Sequence, residues 1–206
     1  MQKLQYFDPI SVDFPREIIY KRLGFKPGMD IVSSQIEEFD GYIQEGLLKM
    51  ELKGAYLRLP VKKNSNSVVE FENGLRIKSE LLSSLLNNYR EALFMAATTG
   101  ESIIDEIKIA QDENMTKAVV LDALASESVE LSLRWIQRFL DRELLRDRRR
   151  LILRRISCGY GDFKIEYQNE IYRLMKLGRL KIEINDYFQL IPEKSVTAVT
   201  AIEDIG

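Results

Sequence analysis

Arg155 stands five residues ahead of Tyr160 in the stretch Arg154-Arg155-Ile156-Ser157-Cys158-Gly159-Tyr160-Gly161-Asp162-Phe163. A guanidinium is a rigid fork of N–H donors that can hold a carboxylate through two parallel bonds. Two glycines around one aromatic residue let the backbone take positive φ and pass close to a bound molecule. The plainer reading of the same residues is a tight turn between an arginine at a strand end and a new helix. Residue physics leaves both open. Three other places could carry chemistry. Thr98-Thr99-Gly100-Glu101-Ser102 is a strand–glycine–helix junction of the kind that can receive an anion, and also of the kind that any such loop makes. Glu130 falls among apolar neighbours, where a buried carboxylate would need a partner and an exposed helix edge would not. The run Arg146 to Arg150 is cationic and suits either a helix C-terminus or an anionic partner.

The composition narrows the chemistry. The chain has 206 residues, no histidine and one cysteine, Cys158. The missing histidine excludes Ser-His-Asp and Cys-His triads and any histidine-ligated metal from within the chain, and no metal site is expected. One cysteine excludes an internal disulfide, a Cys-x-x-Cys site and an iron–sulfur cluster held by one chain. Neither a Gly-x-Gly-x-x-Gly nor a Walker A loop is present. The net charge of −2 gives no overall field toward nucleic acid or an anionic membrane, and neither is expected as a partner. Hydrophobic content of 45% and charged content of 30% suit a globular protein with a true core. No apolar leader and no run of about eighteen apolar residues occurs, so the expected compartment is the cytoplasm.

The elements that must position these residues follow from periodicity. A helix is expected over 13–24, with Asp13 as cap and Pro15 in the first turn, then a turn at Pro27-Gly28. A second helix is expected from Met29 to Leu48, with Ser34 and Glu37 at capping-box spacing. Residues 48–61 alternate with period two around Gly54 and predict two strands or one bent strand. Residues 62–67 read as a polar loop. Val68–Phe71 and Leu75–Lys78 flank Glu72-Asn73-Gly74 as a hairpin. Ser79 caps a helix over 80–88, and Glu91 to Thr98 is a buried strand. Helices are expected over 103–109, over 114–150 with a break near Ser126, and over 165–175. Strands are expected over 180–184, 187–191 and 195–202. Helices and strands are segregated, which makes the class α+β in one domain over 1–206.

Three blocks of this chain, in order, resemble the activation (reactivation) domain of vitamin B12-dependent methionine synthase. The first is Ala96-Ala-Thr-Thr-Gly100 with the helices after it, through Ala118-Val-Val-Leu-Asp122-Ala-Leu-Ala-Ser126 and Val129-Glu130. The second is Arg155-Ile-Ser-Cys-Gly159-Tyr160-Gly161-Asp162, similar to that family's Arg-x-x-x-Gly-Tyr motif. The third is Leu190-Ile-Pro192-Glu-Lys194-Ser195-Val196. The blocks lie between residues 91 and 202, the S-adenosylmethionine-binding core of the resemblance. Residues 1–90 match only in outline.

The resemblance implies a C-shaped α+β fold with a twisted antiparallel sheet. It implies binding of S-adenosylmethionine, and reductive methylation of cob(II)alamin to methylcobalamin with an electron from a flavodoxin-type donor. By position, Arg155 would meet the methionine carboxylate or adjacent groups, and Gly159 would allow close backbone approach. Tyr160 would sit at the sulfonium and corrin side, in the catalytic position. Ser157 or Cys158 would offer backbone groups to the adenosine, and Glu130 aligns with a family glutamate near the ligand. The chain departs from the family at Cys158, where proline is frequent, and at Arg149, in the region of a further family glutamate. It also has no Asp-x-His-x-x-Gly cobalamin motif, so the cobalamin would come on a partner, methionine synthase or a related corrinoid protein. Two other readings are a docking module that no longer binds S-adenosylmethionine and a conventional methyltransferase. The absent glycine fingerprint counts against the second.

Overall fold

The computed structural model describes residues 3–14, 16–26, 29 and 32–205. Strand β1 (Lys3–Phe7) is followed by helices α1 (Arg16–Arg22) and α2 (Ser33–Lys49), then by β2 (Lys53–Ser65), β3 (Val68–Phe71), β4 (Arg76–Lys78), α3 (Glu80–Leu85) and β5 (Glu91–Thr98). Helices α4 (Ser102–Glu113) and α5 (Met115–Leu144) come next, then β6 (Arg149–Leu151), α6 (Tyr167–Leu174), β7 (Glu183–Ile184), β8 (Leu190–Ile191) and β9 (Ser195–Asp204). The main sheet runs β4-β3-β2-β5-β9-β6, with β1 also on β2, and every pairing is antiparallel. Strands β7 and β8 form a separate small hairpin.

Both faces of the sheet are covered, which is why β5 is apolar from Ala92 to Ala97. Leu93, Met95 and Ala97 pack with Val129, Leu133, Ile136 and Leu140 of α5 on one face. Phe94 and Ala96 point the other way, toward Ile156, Cys158, Phe163, Ile171 and Met175. A third cluster joins α1, α2 and α4 to the first half of α5. Each fully buried Leu or Phe here contributes about 1.5–3 kcal/mol. Gly54 allows a close approach of sheet and helix: a Cβ there would stand 2.7 Å from the Ala96 carbonyl and 2.8 Å from Ile136 Cδ1.

Helix α5 is unbroken at Ser126, contrary to expectation. The buried hydroxyls of Ser128 and Ser132 donate back to the carbonyls of Leu124 (2.5 Å) and Ser128 (2.9 Å), so these polar residues fit inside the helix. It ends at Leu144, and the basic run expected to finish it turns instead through Arg148 at φ 54° into edge strand β6. Strand β1 was not foreseen, although Leu4 and Tyr6 alternate with polar residues and pack into the core below β2. The supposed loop 62–67 is mostly strand, closed by a turn at Asn66 and Ser67, both at positive φ. The Ser34–Glu37 capping box does not form, because α2 begins at Ser33 with Val32 at its N-cap. Ser79 does cap α3, accepting from the Leu82 N–H at 3.0 Å. Pro15, Pro27 and Gly28 lie outside the described residues.

Candidate functional site

The edge of the sheet places the arginine. Strand β6 pairs with β9 as far as Leu151↔Ile202; the chain then bulges away, leaving Leu153 at the surface, and returns at Ile156↔Val199. The Thr200 hydroxyl holds the bulge by donating to the carbonyls of Arg154 (2.7 Å) and Ile152 (3.1 Å). This turns Arg155 onto α5, where its guanidinium pairs with the Glu130 carboxylate and donates to Gln137 Oε1 at 2.7 Å. Two candidates far apart in sequence are thus brought together. Glu130 does have the partner that an acid among apolar neighbours needs.

Ile156 leads into the glycine-flanked turn. Gly159 at φ 89° donates its N–H to the Phe163 carbonyl (2.7 Å), and the Phe163 N–H returns to Tyr160 O (3.0 Å). Gly161 is at φ 58°. Phe163 is fully buried and anchors the turn, while Tyr160 is 70% exposed at its tip. Asp162 reaches across to α3, accepting from Leu81 N–H and Ser79 Oγ at 3.0 and 2.9 Å and also from Glu80 N–H. Those backbone N–H groups hold its carboxyl below the usual value. Cys158 sits beneath the turn, and burial pushes its thiol up to about 12. It is not a nucleophile at neutral pH.

Beside this turn lies a cavity of about 540 Å³, within the range of small-molecule sites. Ser157, Cys158 and Tyr160 form one side. Gln168 of α6 and Ser195 and Thr197 of β9 also line it, as do Phe188 and Gln189 from the β7–β8 hairpin. Its charged lining residues are two carboxylates, Glu130 and Glu193, with no lysine or arginine among the described lining residues. Arg155 therefore acts on the cavity through Glu130, and only two of its five N–H donors are engaged in doing so. Gly159 shapes the turn without lining the space. The Asn185 side chain accepts from the Tyr187 and Gln189 N–H groups at 3.0 and 2.9 Å and closes the hairpin, leaving Phe188 at φ 63°. Lys194 ties the following segment to α5 through Asp122 (2.6 Å) and Ser126 (3.1 Å). The Thr98–Ser102 junction does not line the cavity but backs onto it: its Thr98 hydroxyl accepts from Ser195 Oγ at 2.8 Å and from the Gly100 N–H at 3.2 Å.

Gln168, Thr197, Phe188 and Glu193 were not anticipated as site residues. Gln168 had a signal, an amide at helical spacing between Ile165 and Ile171 in a stripe expected to be core. Ile165 of that stripe is itself exposed at the cavity rather than buried.

No family model matches the chain, and no curated protein matches it in sequence. Among solved structures it is similar to the crystal structure of the MetH reactivation domain bound to AdoHcy, with a TM-score of 0.64 over 96% of this chain and 77% of that one. The fold is that of the MetH reactivation domain. The α+β architecture expected from the resemblance, an antiparallel sheet flanked by helices, is borne out. The likeness to the MetH domain takes in the amino-terminal part, which the three sequence blocks did not reach. At 12% identity it is a likeness of fold, and the site residues stand on their own geometry. Among the described residues, no helix is long and apolar enough to cross a membrane.

Proposed function

We propose that this chain binds S-adenosylmethionine in the cavity beside the Gly159-Tyr160-Gly161 turn and presents it to a corrinoid carried by a partner protein. The observation that carries the reading is the cavity itself. Two carboxylates and two aromatic rings, Tyr160 and Phe188, surround a space with no cationic lining residue among the described residues, in a fold whose solved relative holds AdoHcy. A sulfonium cation is stabilised by nearby carboxylates and by aromatic faces. Arg155 stands behind Glu130, bonded to it and to Gln137, and this reading sets the ligand's amino-acid end against that pair. Tyr160 stands exposed at the mouth, where a second protein can reach it. Methyl transfer from a sulfonium asks for positioning rather than for an acid or base, which suits a chain without histidine.

The reaction in this reading is the one the family resemblance implies. One electron from a flavodoxin-type donor and one methyl group from S-adenosylmethionine convert cob(II)alamin to methylcobalamin and release S-adenosylhomocysteine. The partner is a cobalamin-dependent methionine synthase or a related corrinoid protein, and the setting is the cytoplasm. Calorimetric titration with S-adenosylmethionine, with Arg155→Ala beside the wild type, tests the reading. Saturable binding, weakened roughly 10- to 100-fold in the variant as for a charged hydrogen bond lost, is expected. A folded wild-type protein that binds no S-adenosylmethionine, alone or with a corrinoid protein, overturns it and leaves the docking-module reading.

A further inference from the structure

Gln168 lies on the buried stripe of α6 and is only 5% exposed. Its Oε1 accepts from Thr197 Oγ1 at 2.9 Å, and Thr197, on β9, is buried in turn. The amide nitrogen meets no acceptor among the described residues. No fully enclosed side-chain nitrogen or oxygen among them lacks a partner, so this nitrogen keeps access to solvent where the side chain borders the cavity. A leucine would fill this place in the stripe without any desolvation cost. The amide instead offers two N–H donors to whatever occupies the cavity. The same cavity is bordered by Phe188, which Asn185 holds at positive φ, a conformation that costs free energy for a bulky residue.

We infer that Gln168, oriented by Thr197, donates to a ring nitrogen of a purine base, and that Phe188 supplies the apolar face beside that base. The inference rests on reading the cavity as the S-adenosylmethionine site and divides it in two. The charged groups, Glu130 with Arg155, serve the amino-acid and sulfonium end. The neutral amide and the phenyl ring serve the base, whose ring nitrogens are acceptors and whose faces are flat. A neutral donor suits a ring nitrogen, since it adds no charge to neutralise in a buried place.

The test is calorimetry of wild type and Gln168→Leu with S-adenosylhomocysteine and with its 1-, 3- and 7-deaza analogues, each lacking one ring nitrogen. Gln168→Leu is expected to bind S-adenosylhomocysteine roughly tenfold more weakly, as for one hydrogen bond lost. One analogue is expected to bind the two proteins alike, and the other two to show the tenfold loss. Gln168→Glu, of the same shape with an acceptor in place of the donor, takes the place of the leucine variant if that does not fold; a loss at least as large is expected. Binding of S-adenosylhomocysteine unchanged within twofold overturns the assignment, as does an equal loss for all three analogues, which would place the amide on the ribose or elsewhere. Wild type that binds no S-adenosylhomocysteine overturns the S-adenosylmethionine reading itself, and this assignment with it.

Discussion

Cys158 gives a quantitative check on how tightly the Gly-Tyr-Gly turn closes over the core. Its thiol is pushed by burial from 9.0 up to about 12. At pH 8 a group with the ordinary value is about one-tenth thiolate, and at about 12 roughly one part in 10⁴, so the folded protein offers about 10³ less of the reactive form. Ellman's reagent at pH 8 should label the folded chain at least roughly 1000-fold more slowly than the chain in denaturant. The same burial makes stability depend on pH. A thiol raised on folding favours the folded state fully below pH about 9, and that contribution is lost as pH rises toward 12. Between pH 9 and 10 the unfolding free energy of wild type should fall by about 1 kcal/mol more than that of Cys158→Ala, since subtraction of the variant removes every other titrating group. Labelling of the folded chain within tenfold of the unfolded rate, or parallel pH curves for the two proteins, would refute the packing described here.

Other consequences follow from named contacts. Gly54→Ala should lower stability by about 1–3 kcal/mol in denaturant titrations, because its Cβ would press on the Ala96 carbonyl and on Ile136; a change under about 0.5 kcal/mol would show that α5 does not sit so close. Asp162→Asn should melt at a lower temperature than wild type at neutral pH. The Asp162 carboxyl is lowered from 3.8 by the N–H groups of α3, so its contribution is present above that value and lost as pH falls below it. The gap in melting temperature should close in that range, and a gap constant from pH 7 to pH 2 would contradict the contact.

What was legible in the sequence was set by local pattern. The apolar run 91–98, the Ser79 cap and the β3–β4 hairpin each carry their own signal within a few residues, and each is present. The Arg155 stretch was legible for the same reason: two glycines around an aromatic residue permit a positive-φ turn, and both are used. The edge strand β6 was misread because an arginine run suits a helix end as well as a strand that pairs on one side. The pairing of Glu130 with Arg155 joins residues 25 apart and depends on the Thr200-held bulge, which no local pattern announces. The same holds for the cavity wall at Phe188, whose position is fixed by an Asn185 side chain bonding two later backbone groups. Gln168 shows the converse case: a polar residue in an apolar stripe looks like a flaw in the helix until the cavity beside it is known.

The crystal structure of the complex with S-adenosylhomocysteine tests the central claim most directly. The account predicts the ligand in the cavity between the Tyr160 turn and the β7–β8 hairpin, with its amino-acid end toward Glu130 and Arg155 and its base against Gln168 and Phe188. A ligand bound elsewhere on the chain, or a cavity left with solvent alone at saturating concentration, would contradict it.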